Sequence, residues 1–298
     1  MPRPDRAPKL LVRAPELAAE IAAASGARRP RLLDVRWRLD RPEGRIDYLD
    51  GHIPGAVYVD LERELAAPGS PEATGGGRHP LPALADLQAA ARRWGVNDGD
   101  RVVVYDDNEG VPAARAWWLL RRHGVDVRVL DGGLRAWVRA GYRLQRSDAA
   151  PRRGHVSLTE ATGGDVASID DAATAPQRGV LIDARAPQHY RGTVPGLDPA
   201  AGHIPGAVNV PTVVHIGADG LLRDAGEIAA HLSGFGVREG TDVVVYCNSG
   251  VASMHSALVL AQAGIAARVF VGSWSQWSRS PGRAVAVGAS PDAVISAV

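Results

Sequence analysis

One hexapeptide, Gly-His-Ile-Pro-Gly-Ala, stands at positions 51–56 and again at 202–207, 151 positions on. It does not recur alone. Leu32-Leu33-Asp34-Val35-Arg36 is matched by Leu181-Ile182-Asp183-Ala184-Arg185, and Val102 to Tyr105 by Val243 to Tyr246. Arg128 to Gly132 is matched by Arg268 to Gly272, with Trp137 and Trp277 following at the same offset. Blocks repeated in one order at a domain-sized interval mean a duplicated domain, not a solenoid. Whatever one half folds into, the other must fold into as well.

Within each half, short runs rich in Val, Leu and Ile alternate with helical patterns. Strands are predicted at Leu32–Arg36, Arg101–Asp106 and Val127–Leu130. Helices are predicted at Pro15–Ala24 with Gly26 as the stop, Leu84–Trp94, Ala113–His123 and Leu134–Ala140. Short apolar strands between helices imply a mainly parallel sheet with helices on both faces, an α/β class. The join, Gln145 to Gly164, is rich in Arg, Ser, Ala and Gly and reads as a linker. The expected division is a first domain over 8–146, a linker over 147–164 and a second domain over 165–298.

Composition narrows the function. A formal net charge of +1 over 298 residues gives no bulk field for nucleic acid or a membrane surface. No apolar stretch approaches the ~20 residues of a membrane helix. Met1 to Lys9 is rich in Pro and Arg with no apolar core after it, which predicts no secretory signal and a soluble cytoplasmic protein. The single cysteine forbids an internal disulfide. No Cys/His cluster has zinc spacing and no glycine-rich loop has phosphate-binding spacing, so neither metal nor cofactor is expected.

That cysteine, Cys247, follows the predicted strand Val243–Tyr246 and precedes a helical pattern beginning at Val251. Ligands of open α/β sheets bind at such strand ends. Main-chain N–H groups at the helix start are expected to face the sulfur, at the mouth between the two halves, and to favour the thiolate. A lone cysteine is more often an inert buried residue. The duplication sharpens the choice, because the first half has Asp106 where the second has Cys247. One half then carries chemistry and the other forms scaffold and cleft wall.

These residues resemble the rhodanese-like sulfurtransferases over nearly the whole chain. The resemblance is carried by Leu-Asp-Val-Arg and Ile-Asp-Ala-Arg, the two Gly-His-Ile-Pro-Gly-Ala turns, Tyr190-Arg191-Gly192, the Cys247 loop and Gly272-Ser273-Trp274. It implies two tandem rhodanese-like domains, the first inactive. It implies that Cys247 takes sulfur from 3-mercaptopyruvate or thiosulfate and passes it, as a persulfide, to cyanide or a thiol acceptor such as thioredoxin. Backbone N–H groups of residues 248–253, that is Asn248, Ser249, Gly250, Val251, Ala252 and Ser253, would hold the sulfur. The uncharged Cys-Asn-Ser-Gly-Val-Ala loop is closer to the mercaptopyruvate users, in which a serine, a histidine and a carboxylate form a proton relay; Ser249, His79 and Glu62 match them. Arg185 and Arg191 match arginines that bind the substrate carboxylate.

Departures and counter-readings stand beside this. Asn248 replaces a family glycine, and Ala252 a threonine whose hydroxyl lies near the sulfur. His52, His203, Asp34 and Asp183 occur in both halves and so fit structural roles. Arg185 has a counterpart in Arg36, which fits a structural role equally well; Arg191 has none. His79, after a glycine-rich loop, could simply be solvated. The tryptophans fit core or domain-interface packing. Two other functions compete. A phosphatase or arsenate reductase needs an arginine six positions after the cysteine, where Ser253 stands. A non-catalytic sulfur-carrier or binding module would tolerate Asn248 and Ala252.

Overall fold

The computed structural model describes residues 9–24, 29–69 and 75–292, and the main chain of 295–297. Gly26 and part of the loop before His79 lie outside the described residues. The first sheet contains β1 (Leu11–Val12), β2 (Arg31–Asp34), β3 (Val57–Tyr58), β4 (Arg101–Tyr105) and β5 (Asp126–Leu130) in the order β1-β5-β4-β2-β3. The second contains β6 (Val166–Ala167), β7 (Val180–Asp183), β8 (Val208–Asn209), β9 (Val243–Tyr246) and β10 (Arg268–Phe270) in the order β6-β10-β9-β7-β8. Every pairing in both sheets is parallel. The two orders are the same once the strands are renumbered, so the duplication seen in sequence is a duplication of topology.

Register carries the repeat down to single residues. Asp34 pairs with Tyr105 and Asp183 with Tyr246. Each tyrosine hydroxyl accepts the N–H of the isoleucine in its hexapeptide, Ile53 or Ile204, at 3.1 Å. Each histidine of the hexapeptide stacks on a tyrosine, His52 on Tyr48 and His203 on Tyr190, and meets that tyrosine's carbonyl at 2.8 Å. These turns lock the sheet's edge strand; their histidines do structural work in both halves.

Helices cover both faces of each sheet. On the outer faces, Leu17, Tyr105 and Trp137 close the first domain, and Tyr190, Tyr246, Trp274 and Trp277 close the second. The inner faces share one continuous core. Helix Val111–Arg122 packs against helix Ala252–Gln262 there, with Trp117, Trp118, Met254 and Leu258 buried. Both helices are buried nearly all round, as helices sandwiched between two domains must be. The stretch after the first sheet is extended and lies on the first domain: Val156 N–H donates to the Val96 carbonyl and Thr159 N–H to His123. A final antiparallel pair, β11 (Ala284–Ala286) and β12 (Ile295–Ala297), lies apart from both sheets, and Ala286 bridges to His203.

Two second-domain histidines, His215 and His255, are also buried. His255, on the central helix, meets the Thr212 hydroxyl at 2.6 Å; His215 meets His231 at 3.0 Å. Burial pushes both His255 and His215 down to about 4, with neighbouring positive groups adding to it. The unfolded chain therefore binds protons that the folded chain refuses between pH 6.5 and 4. This contribution is complete above about pH 6.5 and is lost as pH falls toward 4. Each histidine is expected to contribute a loss of roughly 2 kcal/mol between pH 7.5 and pH 5 in chemical denaturation, offset in part by Asp106, whose carboxyl, raised to about 6, takes up a proton in the folded chain over the same range. A His255→Gln variant is expected to show a visibly shallower dependence; an unchanged slope would exclude His255 as its source.

Candidate active site

Strand β9 ends at Tyr246, and its next residue, Cys247, enters a tight loop that becomes the central helix at Ala252. The Gly250 N–H points back to Cys247 Sγ at 3.2 Å. Gly250 has φ +82°, and a Cβ there would stand 2.5 Å from the Val271 carbonyl, so only glycine fits. Asn248 is not among the residues with positive φ, so the asparagine in place of the family glycine meets no backbone penalty. Its carbonyl accepts the Ser275 N–H. Ser253 places its hydroxyl 3.6 Å from Sγ, next to the position where Ala252 lacks one.

Cys247 is more enclosed than a site at an open mouth: 2% of its surface is exposed. The loop folds over it, with Val251 and Ser253 buried on one side and Ser273 on the other. Among the described residues, Gly250 supplies the one main-chain N–H directed at Sγ. The bowl of several amides around a bare sulfur is therefore not what the side chain itself engages.

The first domain shows what the other amides of such a loop are aimed at. Asp106 stands at the cysteine position, and its carboxylate accepts the N–H groups of Asn108, Gly110 and Ala113 at 2.8–2.9 Å. It reaches farther than a cysteine sulfur and fills the cradle with its own negative group. Burial pushes its carboxyl up to about 6 against those bonds. The corresponding second-domain amides are those of Ser249, Val251 and Met254; the Met254 N–H donates to the Val251 carbonyl, and Sγ does not engage the other two.

Ser249 faces away from the sheet toward the first domain. Its Oγ lies 2.8 Å from His79 Nδ1, and His79 Nε2 lies 3.0 and 3.1 Å from the two Glu62 oxygens. The Trp37 indole N–H donates to Glu62 Oε1 at 2.8 Å. Burial works to raise the Glu62 pKa, but its bonds to His79 and Trp37 outweigh it and hold the carboxyl below its usual range. His79 is 3% exposed, so the solvated reading of this residue does not apply. Three features dock its loop across the interface. Gln276 Nε2 donates to the Gly75 carbonyl, Arg78 N–H donates to Ser275 Oγ, and Gly77 (φ +85°) passes so close to Gly272 that a Cβ would stand 2.5 Å from its carbonyl.

The arginines divide. Arg185 is buried, with Nε and Nη2 taken by the Asp183 carboxylate and Nη2 also donating to the Gly202 carbonyl. Arg36 makes the same bonds to Asp34 and Gly51 in the domain without a cysteine. The Nε–Nη2 edge of Arg185 is thus already occupied, which leaves Nη1, without a bond among the described residues, as the nitrogen that could meet a substrate carboxylate. Arg191 ends helix Pro187–Arg191, is exposed, and its guanidinium has no partner among the described residues.

Ser273 was missed in the sequence. It has φ +54°, a strained value for a residue with a side chain. Its hydroxyl accepts the Cys247 N–H at 3.2 Å, lies 3.9 Å from Sγ and donates to the Phe270 carbonyl. Its first-domain counterpart is Gly133 at φ +55°. The signal was present: Gly-Gly in one copy, Gly-Ser in the other.

A family model for the rhodanese-like domain matches residues 16–140 and again 167–280, one match for each sheet. The chain belongs to the rhodanese-like family. A putative thiosulfate sulfurtransferase, SseB, of Mycobacterium tuberculosis is 44% identical over 287 residues, covering 94% of this chain and 98% of that one. A probable 3-mercaptopyruvate sulfurtransferase of Pseudomonas aeruginosa is 40% identical, covering 86% of this chain and 92% of its own. The crystal structure of the 3-mercaptopyruvate enzyme SseA of Escherichia coli superposes with a TM-score of 0.76 at 32% identity, over 90% of this chain and 99% of that one. This rhodanese-like chain is a sulfurtransferase at the level of reaction class. Its similar proteins carry the names of two different donors, so the donor has to be argued from the site itself.

Proposed function

We propose that the protein transfers sulfur from 3-mercaptopyruvate, through a persulfide on Cys247, to a thiol or cyanide acceptor. The supporting observation is the Ser249–His79–Glu62 row, which joins the loop after the cysteine to a buried histidine and its carboxylate.

Cys247 Sγ attacks the donor sulfur. The carbon–sulfur bond breaks, and its electron pair leaves on the carbon as the enolate of pyruvate. That carbanion is a strong base and needs a proton at once. The Ser249 hydroxyl supplies it, and His79, steadied by Glu62, restores the hydroxyl with the proton given up by the donor's thiol. Loop amides left open by Sγ take the outer sulfur, as their first-domain counterparts take the Asp106 carboxylate. An acceptor thiolate then attacks the outer sulfur and Cys247 leaves as thiolate. Arg191 is the exposed cation suited to the donor's carboxylate. Thiosulfate fits this row less well, because sulfite leaves as a stable anion that requires no proton.

The mass of the intact protein tests this. One equivalent of 3-mercaptopyruvate is expected to add one sulfur atom to Cys247 and release one pyruvate; cyanide or a dithiol then removes the sulfur. A protein that takes up no sulfur from either donor would instead be a carrier or binding module.

A further inference from the structure

We propose that Arg115, a first-domain residue, is a positioning residue for the sulfur-transfer loop of the second domain. Its guanidinium holds the Gly250–Val251 peptide with its N–H turned toward the cradle that takes the outer sulfur, and supplies a buried positive charge to the sulfur anion. The inference rests on the sulfur-transfer reading above.

Arg115 lies on helix Val111–Arg122, within the run Pro112 to Leu120, which is buried without a break. It is itself 0% exposed. Among the described residues no carboxylate forms an ion pair with it; all of its bonds run to main-chain carbonyls. Nε and Nη2 hold Leu65, Nη2 also holds His79 and Pro80, and Nη1 holds Gly250 at 3.1 Å. One side chain thus ties the segment carrying His79 to the loop carrying Cys247.

The Gly250 carbonyl matters because a trans peptide points its C=O and N–H in opposite directions. With the carbonyl fixed on Arg115, the Val251 N–H of the same peptide is directed the other way. In the first domain the matching peptide, Glu109–Gly110, donates its N–H to Asp106 at 2.9 Å, into the cradle. Glu109 and Gly250, at equivalent positions, both have positive φ, 62° and 82°. The first-domain loop is faced by His255, which comes from the second domain: a Cβ on Gly110 would stand 3.7 Å from its ring. Each central helix therefore sets a side chain against the other domain's loop, Arg115 bonded to Gly250 and His255 packed beside Gly110. The two side chains differ in charge. His255 is pushed down to about 4 by burial and is neutral at pH 7. Arg115 is pushed down only to about 10 by burial, with Cys247 and Glu62 acting in the opposite sense, and keeps its charge. The cation serves the loop that holds a sulfur anion, and the neutral ring serves the loop already holding Asp106.

Arg115→Gln and Arg115→Lys separate the charge from the fork. Besides turnover, the readout is the ratio of Cys247 alkylation rates with iodoacetate and iodoacetamide, which differ in charge and need no sulfur donor. In Arg115→Gln the ratio is expected to fall about tenfold and kcat about 10²-fold, with KM within about threefold. Arg115→Lys is expected to keep the unsubstituted protein's ratio while losing kcat, since an ammonium cannot hold all of these carbonyls. A folded Arg115→Gln protein with unchanged ratio and unchanged kcat overturns the proposal. If that variant does not fold, Arg115→Lys with full kcat overturns it. Failure of the unsubstituted protein to take up sulfur would sink the sulfur-transfer reading instead, a result the alkylation ratio does not depend on.

Discussion

A Cys247→Ser variant is expected to fold as the parent does and to transfer no measurable sulfur from either donor, a loss of at least about 10⁴-fold in turnover. The chain has one cysteine, so no other thiol can accept the sulfur in its place. A serine oxygen in the same pocket keeps a hydrogen bond from Gly250 but is un-ionised at neutral pH and forms no stable bond to a sulfane sulfur. The fold has little reason to change. The cysteine touches the loop through one weak N–H···S bond and two long contacts to Ser253 and Ser273, and a hydroxyl can take up all three. Thermal unfolding is expected to shift by no more than about 1 kcal/mol equivalent. Incubation with 3-mercaptopyruvate and mass measurement of the intact chain settle the outcome: residual sulfur uptake by the serine variant would place the reacting group elsewhere.

The architecture was legible in the sequence because it is stated twice. The long strands and helices fall within a residue or two of their expected positions: Ala14–Ala23, Leu84–Arg93, Val111–Arg122 and Gly133–Arg139. The edge strands β1 and β6 were not, because two residues cannot display a period, and among the described residues the first copy has no counterpart of the antiparallel pair near the end of the chain. Cys247 stood out through its replacement by Asp106. His79 and Glu62 did not stand out locally. They precede Cys247 by more than 160 residues, and only the packing of two domains brings them to Ser249; the resemblance alone pointed to them. Arg185 was ambiguous for a physical reason: an arginine at a strand end suits an anion equally well whether that anion is a ligand or Asp183. Arg115 left an unread trace, a lone cation in the otherwise uncharged stretch Val111 to Leu120. A charge in a helix with no polar face is there for a partner elsewhere in the molecule.

The sharpest test of donor choice is Ser249→Ala. Turnover with 3-mercaptopyruvate is expected to fall about 10²–10³-fold, the usual worth of a positioned proton donor, while turnover with thiosulfate stays within about threefold. The asymmetry follows from the leaving groups, since a carbon-centred enolate must be protonated and sulfite need not be. His79→Gln is expected to produce the same split. Its Nδ1 is 2.8 Å from the serine oxygen, and its other nitrogen is committed to a carboxylate that Trp37 also holds. Residues acting in series do not add. The double variant Ser249→Ala/His79→Gln is therefore expected to be no slower with 3-mercaptopyruvate than the slower of the two single variants. Steady-state rates for all three proteins with both donors decide it. Equal losses with the two donors would make the row a scaffold for the cysteine loop and not a proton path. Fully additive losses would mean that serine and histidine serve separate steps, with the proton reaching the enolate from only one of them.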